Sequence, residues 1–417
     1  MERKKNYLFA ALLLIFATVS CELVDDDLNK HWNPDSGNDS TAVDLDAVAE
    51  IIAALPLDDI HLKEVHAAVS SSSLNGYDEE YTMRNLFSNP GSGVGDPEVE
   101  SKAAQFMQNP LRKLIEEHVH SSAGIPTKAG TSSEVDPDKF LKALTDSDIQ
   151  IYWPFSENWD GSTFPIVTFD PEDGADANVG YRLIVGRDGS RSIESVIVDE
   201  EMAAEEPVWV VNRNSDAGYT SLEMLRRNDP DWGEGGGSII VMPSGKLNLC
   251  PGTKASSKPL RSLVLKDFTM KRNFDPWFAG ASEFFVKTGY VEDFTATTEA
   301  ELRLYNPTVT DFLVVVKRNQ VGIPQPFNAM LITDWSDQMT HCAFMITEDD
   351  GGTRTEWKCT ALVRVASKSY GVEINLPFNS RDDYVWRGQL SNKWIKQNSG
   401  ITSHFGDVDL TFEVLEQ

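Results

Sequence analysis

The stretch Glu356-Trp357-Lys358-Cys359-Thr360-Ala361-Leu362-Val363-Arg364-Val365 decides the fold. In an extended chain Trp357, Cys359, Ala361, Val363 and Val365 fall on one side, and Glu356, Lys358, Thr360 and Arg364 on the other, because successive strand side chains point to opposite faces. One dry face and one wet face predict an antiparallel sheet that covers a core on one side only. Tyr370, Val372, Ile374 and Leu376 repeat the pattern, as do Val408, Leu410, Phe412 and Val414. About eight such runs between Leu260 and Leu415 predict a C-terminal antiparallel β-sandwich over residues 251–417.

Thr340–Glu348 and Thr353–Val365 flank Asp349-Asp350-Gly351-Gly352, a strong hairpin signal. A two-residue Asp350-Gly351 loop puts Cys342 opposite Cys359 and Phe344 opposite Trp357. A four-residue loop keeps the cysteines opposite. This register places the two thiols side by side, either as a disulfide or as two small buried groups.

Upstream the hydrophobic period changes. Leu45, Val48, Ile52 and Leu55 recur at three and four, as do Leu62, Val65 and Val69 after the acidic start Asp58-Asp59. Asp96-Pro97 and Asp136-Pro137 each place a capping side chain before a proline suited to the first helical position. Residues 43–145 are therefore expected to form a small helical region. From Ile149 the period is about two: Ile149–Trp153, Phe164–Phe169, Tyr181–Val185, Ser192–Val198 and Pro207–Val211 read as strands, with a helix at Ser221–Arg227. Residues 146–250 either form a β-rich middle domain or extend the sandwich. The whole reads as mostly β, with its helices near the N-terminus.

The N-terminus carries an address. Glu2-Arg3-Lys4-Lys5-Asn6 is a basic opening, Leu8–Ala17 an apolar core of signal-peptide length, and Thr18-Val19-Ser20-Cys21 a small-residue ending. It resembles the lipobox of bacterial lipoproteins, although Thr18 stands where that family usually has Leu, Val or Ile. The resemblance implies cleavage of residues 1–20, lipidation of Cys21 and attachment to a membrane by lipid alone; an ordinary signal peptide with a cysteine at its end is the alternative. Asp25-Asp26-Asp27 resembles the acidic export signal of some surface-displayed outer-membrane lipoproteins, and residues 21–42, rich in Asp, Asn and Ser, read as a flexible tether.

Without residues 1–20 the chain keeps 34 Lys and Arg against 64 Asp and Glu, a formal charge of −30. Such a field repels nucleic acid and anionic lipid, leaving cations, neutral glycans and proteins as partners. Asn212, Asn214, Asp216 and Glu223 stand at positions one, three, five and twelve of a segment that resembles an EF-hand calcium loop, with Gly218 one place later than that pattern wants. Ordinary turn chemistry between a strand and a helix yields the same residues. A second acidic set, Asp275, Asp334, Asp337, Asp349, Asp350, Asp382 and Asp383, lies in the expected sandwich loops. There Asp267–Val286 resembles the first loop of synaptotagmin-type calcium modules, while solvated turns are the plainer reading.

No catalytic signature stands out. His61 and His66 are five apart and diverge on a helix, so they cannot share a zinc; Gly233-Glu234-Gly235-Gly236-Gly237 lacks the lysine of a phosphate loop. Trp153, Trp159 and Trp232, amid Asp, Asn and Gly, suggest rings that stack on sugars, against the commoner role of Trp as core or loop anchor. The expectation is a surface lipoprotein that binds a glycan or envelope protein through its sandwich loops. The alternative is a secreted, calcium-stabilised hydrolase with carboxylates that no motif reveals.

Overall fold

Strands Ile149–Tyr152 (β2), Ile166–Phe169 (β3) and Val208–Arg213 (β6) are apolar on both faces, and the computed structural model shows both faces covered. Ile149, Ile151, Trp153, Trp209 and Val211 pack on one side with Leu45, Ile52, Leu62 and Val65 of helices α1 (Leu45–Ala54) and α2 (Asp59–Leu74). Tyr152, Val208 and Val210 pack on the other with Trp277 and Phe278 from a sandwich loop. The structure describes residues 43–88, 109–121, 136–186, 188–214, 220–228 and 261–416. Cys21, the helix expected after Asp96-Pro97, Asp216, Trp232 and Cys250 lie outside the described residues.

These strands belong to a six-stranded sheet of order β1-β2-β6-β3-β4-β5, with β1 Glu80–Thr82, β4 Ala177–Val185 and β5 Arg191–Asp199. All its neighbours are antiparallel except β3 and β6. The middle strands thus join the helical region as one two-layer unit. Helix α3 (Met83–Phe87) follows β1, and α4 (Pro110–Ser121) and α5 (Pro137–Asp146) add to the same core. The Asp136 side chain caps α5 as expected, accepting from the Asp138 amide at 3.1 Å. Glu64, 2% exposed, accepts the Leu111 amide at 2.8 Å and satisfies the start of α4. Helix α6 (Glu200–Glu205) completes this half, whereas α7 (Leu222–Asn228) sends Leu222 and Leu225 into the sandwich core.

The sandwich holds ten strands rather than about eight. One sheet has the order β10-β7-β16-β15, from β7 (Arg261–Met270), β10 (Gln325–Ile332), β15 (Thr402–Phe405) and β16 (Val408–Glu416). The other has the order β13-β12-β11-β8-β9, from β8 (Ser282–Tyr290), β9 (Thr308–Val316), β11 (Met339–Glu348), β12 (Arg354–Val365) and β13 (Lys368–Asn379), with β14 (Asp383–Ser391) also on β11. Helix α8 (Asn392–Gln397) links β14 to β15. Leu265, Phe268 and Phe412 of the first sheet meet Phe284, Phe344 and Ile346 of the second in a single core. On β12 the alternation holds: Cys359, Ala361, Val363 and Val365 are buried, and Glu356, Lys358 and Arg364 exposed.

The tight hairpin does not form. Strands β11 and β12 pair only at Met339 with Val363 and His341 with Leu362, far from the turn. Over Ala343–Glu348 one edge of β11 is taken by β8 and the other by β14, so β12 pairs along its length with β13 instead. Cys342 lies opposite Leu390 and Cys359 opposite Ile374, and both thiols are free and buried.

Candidate functional site

Three connections meet at one end of the sandwich. The β7–β8 segment brings Asp275, the β11–β12 segment Asp349 and Asp350, and the β13–β14 segment Asp382 and Asp383; Glu348 pairs with Phe284 at the start of β8 and with Asp383 at the start of β14. Asp334 and Asp337, which precede β11, lie at its other end, where Asp337 is bound by Arg261. Five of the seven loop aspartates therefore converge. Gly351 and Gly352, with φ of +67° and +103°, permit the sharp exit from β11 that a side chain would strain. The Asp349 carboxylate accepts from the Gly351 amide at 3.0 Å and the Asn379 side chain at 2.9 Å, which ties the β11–β12 connection to the β13–β14 connection.

Two strand glutamates deepen the cluster. One carboxylate oxygen from each of Asp275, Glu283 and Glu348 lies within 4.8 Å of the others. Glu283 is 6% and Glu348 1% exposed, whereas Asp275, in the β7–β8 connection, is half-buried. Burial pushes the Glu348 carboxyl far up, reinforced by a hydrogen bond with Asp275 and by its charge; burial raises Asp275 as well. Asp382 is pushed up to about 7, first by burial and then by its contact with Asp349. When ionised, Asp275 Oδ2, Glu348 Oε1, Asp349 Oδ2 and Asp382 Oδ1 have no hydrogen-bond donor among the described residues. Arg318, whose charge reaches Asp275, directs its guanidinium to Glu200 and to the Asp275 carbonyl rather than to the carboxylate. Buried carboxylates in this state need either a shared proton or a cation.

Neither glutamate stands out by spacing. Glu283 is a single acid inside an apolar run, Ser282-Glu283-Phe284-Phe285, and that misfit was its only signal, whereas Glu348 merely opens the acidic turn Glu348-Asp349-Asp350.

The residues singled out by sequence fall elsewhere. Asn212 is buried, and its side chain donates to the Phe278 and Ala279 carbonyls at 3.0 and 2.6 Å, pinning the sandwich loop to β6. Asn214 donates to Glu80 at 2.6 Å and Gln150 at 2.9 Å. Their Oδ1 atoms lack partners among the described residues. Glu223 sits in α7 and pairs with Arg226 at 3.0 Å and Arg227 at 3.7 Å, so its carboxylate is already engaged. Trp153 is a correction: it is 1% exposed and packs edge-on to Trp209 at 5.7 Å, leaving no face for a sugar. It is core because it continues the side of β2 that faces the helices. Trp159 is half-buried against Trp153 and donates to the Thr163 carbonyl at 2.9 Å.

No protein-family model, curated protein or solved structure matches the chain. No helix among the described residues is long and apolar enough to cross a membrane.

Proposed function

We propose that this chain is a lipid-anchored, surface-exposed envelope protein that binds a partner protein through the acidic end of its sandwich. The supporting observation is the convergence of Asp275, Asp349, Asp350, Asp382 and Asp383 from three connections, beside the exposed Tyr384. The Arg387 guanidinium lies over the Tyr384 ring at 4.3 Å, but the five surrounding aspartates leave the end acidic and favour a partner with a basic face, since complementary potentials speed encounter. Burial of Trp153 weakens the glycan reading, which stays as an arm of the test. The hydrolase alternative draws support from the Asp275–Glu348 pair, because acid–base chemistry uses carboxyls with displaced affinities. Glu348 is 1% exposed, however, and a sugar or peptide bond cannot approach it.

The full mature chain and an Asp350→Asn/Asp383→Asn variant, altered only at exposed positions, are to be tested against basic envelope proteins and a glycan array. Salt-sensitive protein binding that weakens about tenfold in the variant is expected, since rim charges act mainly on association. Equal binding by both chains at all salt concentrations, or binding to glycans alone, contradicts the proposal.

A further inference from the structure

The acidic end contains more negative charge than ligand recognition needs, and its deepest part is closed to a macromolecule. We propose that Asp275, Glu283 and Glu348 form a binding site for a hard divalent cation, calcium by chemistry. Their oxygens come from three segments, yet one from each lies within 4.8 Å of the others. Calcium–oxygen bonds of about 2.3–2.6 Å set opposite ligands about 4.6–5.2 Å apart, so the three oxygens fit one coordination sphere.

A second observation points the same way. Glu348 is 1% exposed, and with both acids ionised and no cation bound its Oε1, like Asp275 Oδ2, faces no donor among the described residues. A buried carboxylate carries the full desolvation cost when nothing compensates it, and a bound cation compensates Asp275 and Glu348 together. The route in is Asp275, which is half-buried and belongs to a loop rather than a strand. Calcium suits this set better than magnesium, because magnesium demands a near-ideal octahedron while calcium accepts carboxylates at uneven angles and fills its remaining positions with water.

The site differs from Asn212–Glu223, whose glutamate is paired with arginines. It occupies the same end of the sandwich as the proposed partner face, and it stands without that reading, since the test contains neither partner nor glycan.

The test is isothermal titration calorimetry of the full mature chain with calcium chloride alone, with magnesium chloride in parallel, and thermal melts with and without calcium. Binding of one calcium per chain with a rise in melting temperature is expected, because a ligand that binds only the native state stabilises it. Glu348→Gln and Asp275→Asn should each weaken calcium affinity at least tenfold, and Glu223→Ala should leave it unchanged. Asp275→Asn, at a half-buried loop position, guards against loss of folding in the other variant. Absence of heat and of thermal shift at millimolar calcium overturns the site and leaves a shared proton in its place. Binding that survives both variants, or is abolished by Glu223→Ala, overturns it equally.

Discussion

The Asp78 carboxylate accepts a hydrogen bond from the Ala281 amide at 3.1 Å across 203 residues, and Gly280, next to that amide, has φ +135°. A methyl group at residue 280 would lie 2.6 Å from Asp78 Oδ2. The contact joins the end of α2 and start of β1 to the loop that carries Asp275, Trp277 and Phe278. The acidic end of the sandwich is thus held in place by the helical half of the molecule.

Gly280→Ala should accordingly destabilise the fold by about 1–3 kcal/mol, from a backbone conformation that side chains rarely adopt together with the clash on Asp78. Chemical denaturation of the wild type and variant measures it. A variant as stable as the wild type shows that the loop does not depend on this contact.

Stability should also fall as pH rises through the neutral range. Burial pushes both Glu64 and Glu79 up to about 7 from an ordinary value of 4.5, with the charges of Asp78 and Glu157 adding to Glu79 and Lys317 opposing them. Each carboxyl binds its proton more tightly in the folded than in the unfolded chain. The resulting stabilisation is fully present below about pH 4.5 and is lost as pH rises through about 7. Melting temperature should therefore be higher at about pH 5 than at about pH 8. Glu79→Gln keeps an acceptor for the Ser156 hydroxyl, which donates to Glu79 at 2.9 Å, and should flatten the profile. A profile that rises with pH, or one that Glu79→Gln leaves unchanged, contradicts this account.

What was legible in the sequence follows from the range of the interactions. The one-sided alternation of β12 and β13 is local information, and so are the acidic start of α2 at Asp58-Asp59 and the cap at Asp136; all appear where expected. The Asp349–Gly352 turn was equally clear, but a turn signal cannot reveal that β8, some sixty residues earlier, already holds the edge of β11 that a hairpin partner needs. The same limit hid the site. Asp275, Glu283 and Glu348 meet only because β8 pairs with β11, and no spacing in the chain encodes that pairing. Trp153 misled for a related reason: the polar run Ser156-Glu157-Asn158 that follows it said nothing of Trp209 or of the helices that cover it.

Location is tested at the N-terminus. If Cys21 carries lipid, Cys21→Ala should lose fatty-acid label and move from the membrane to the soluble fraction, since the acyl chains on that residue supply the whole membrane affinity in such an arrangement. Unchanged membrane retention removes the lipid anchor from the proposal. Protease shaving of intact cells carrying Asp25–Asp27→Ala separates surface display from anchoring.

The cysteines supply the last test, because their position distinguishes the observed pairing from a hairpin. Cys342 donates to the Leu390 carbonyl at 3.7 Å and Cys359 to the Ile374 carbonyl at 3.3 Å, each across to a different neighbouring strand. Burial pushes both thiols up to about 12, so neither is a thiolate nucleophile in the folded chain. In a mature chain carrying Cys250→Ser, purified without reductant and with Cys21 lipidated, a thiol reagent should label neither cysteine in the native state. Both should react once the chain is unfolded in denaturant. A zero count after unfolding means that a Cys342–Cys359 bond has formed, which requires the two Cα atoms to come within about 7 Å. Rapid native labelling at either position instead means that the core around β11 opens far more readily than its burial implies.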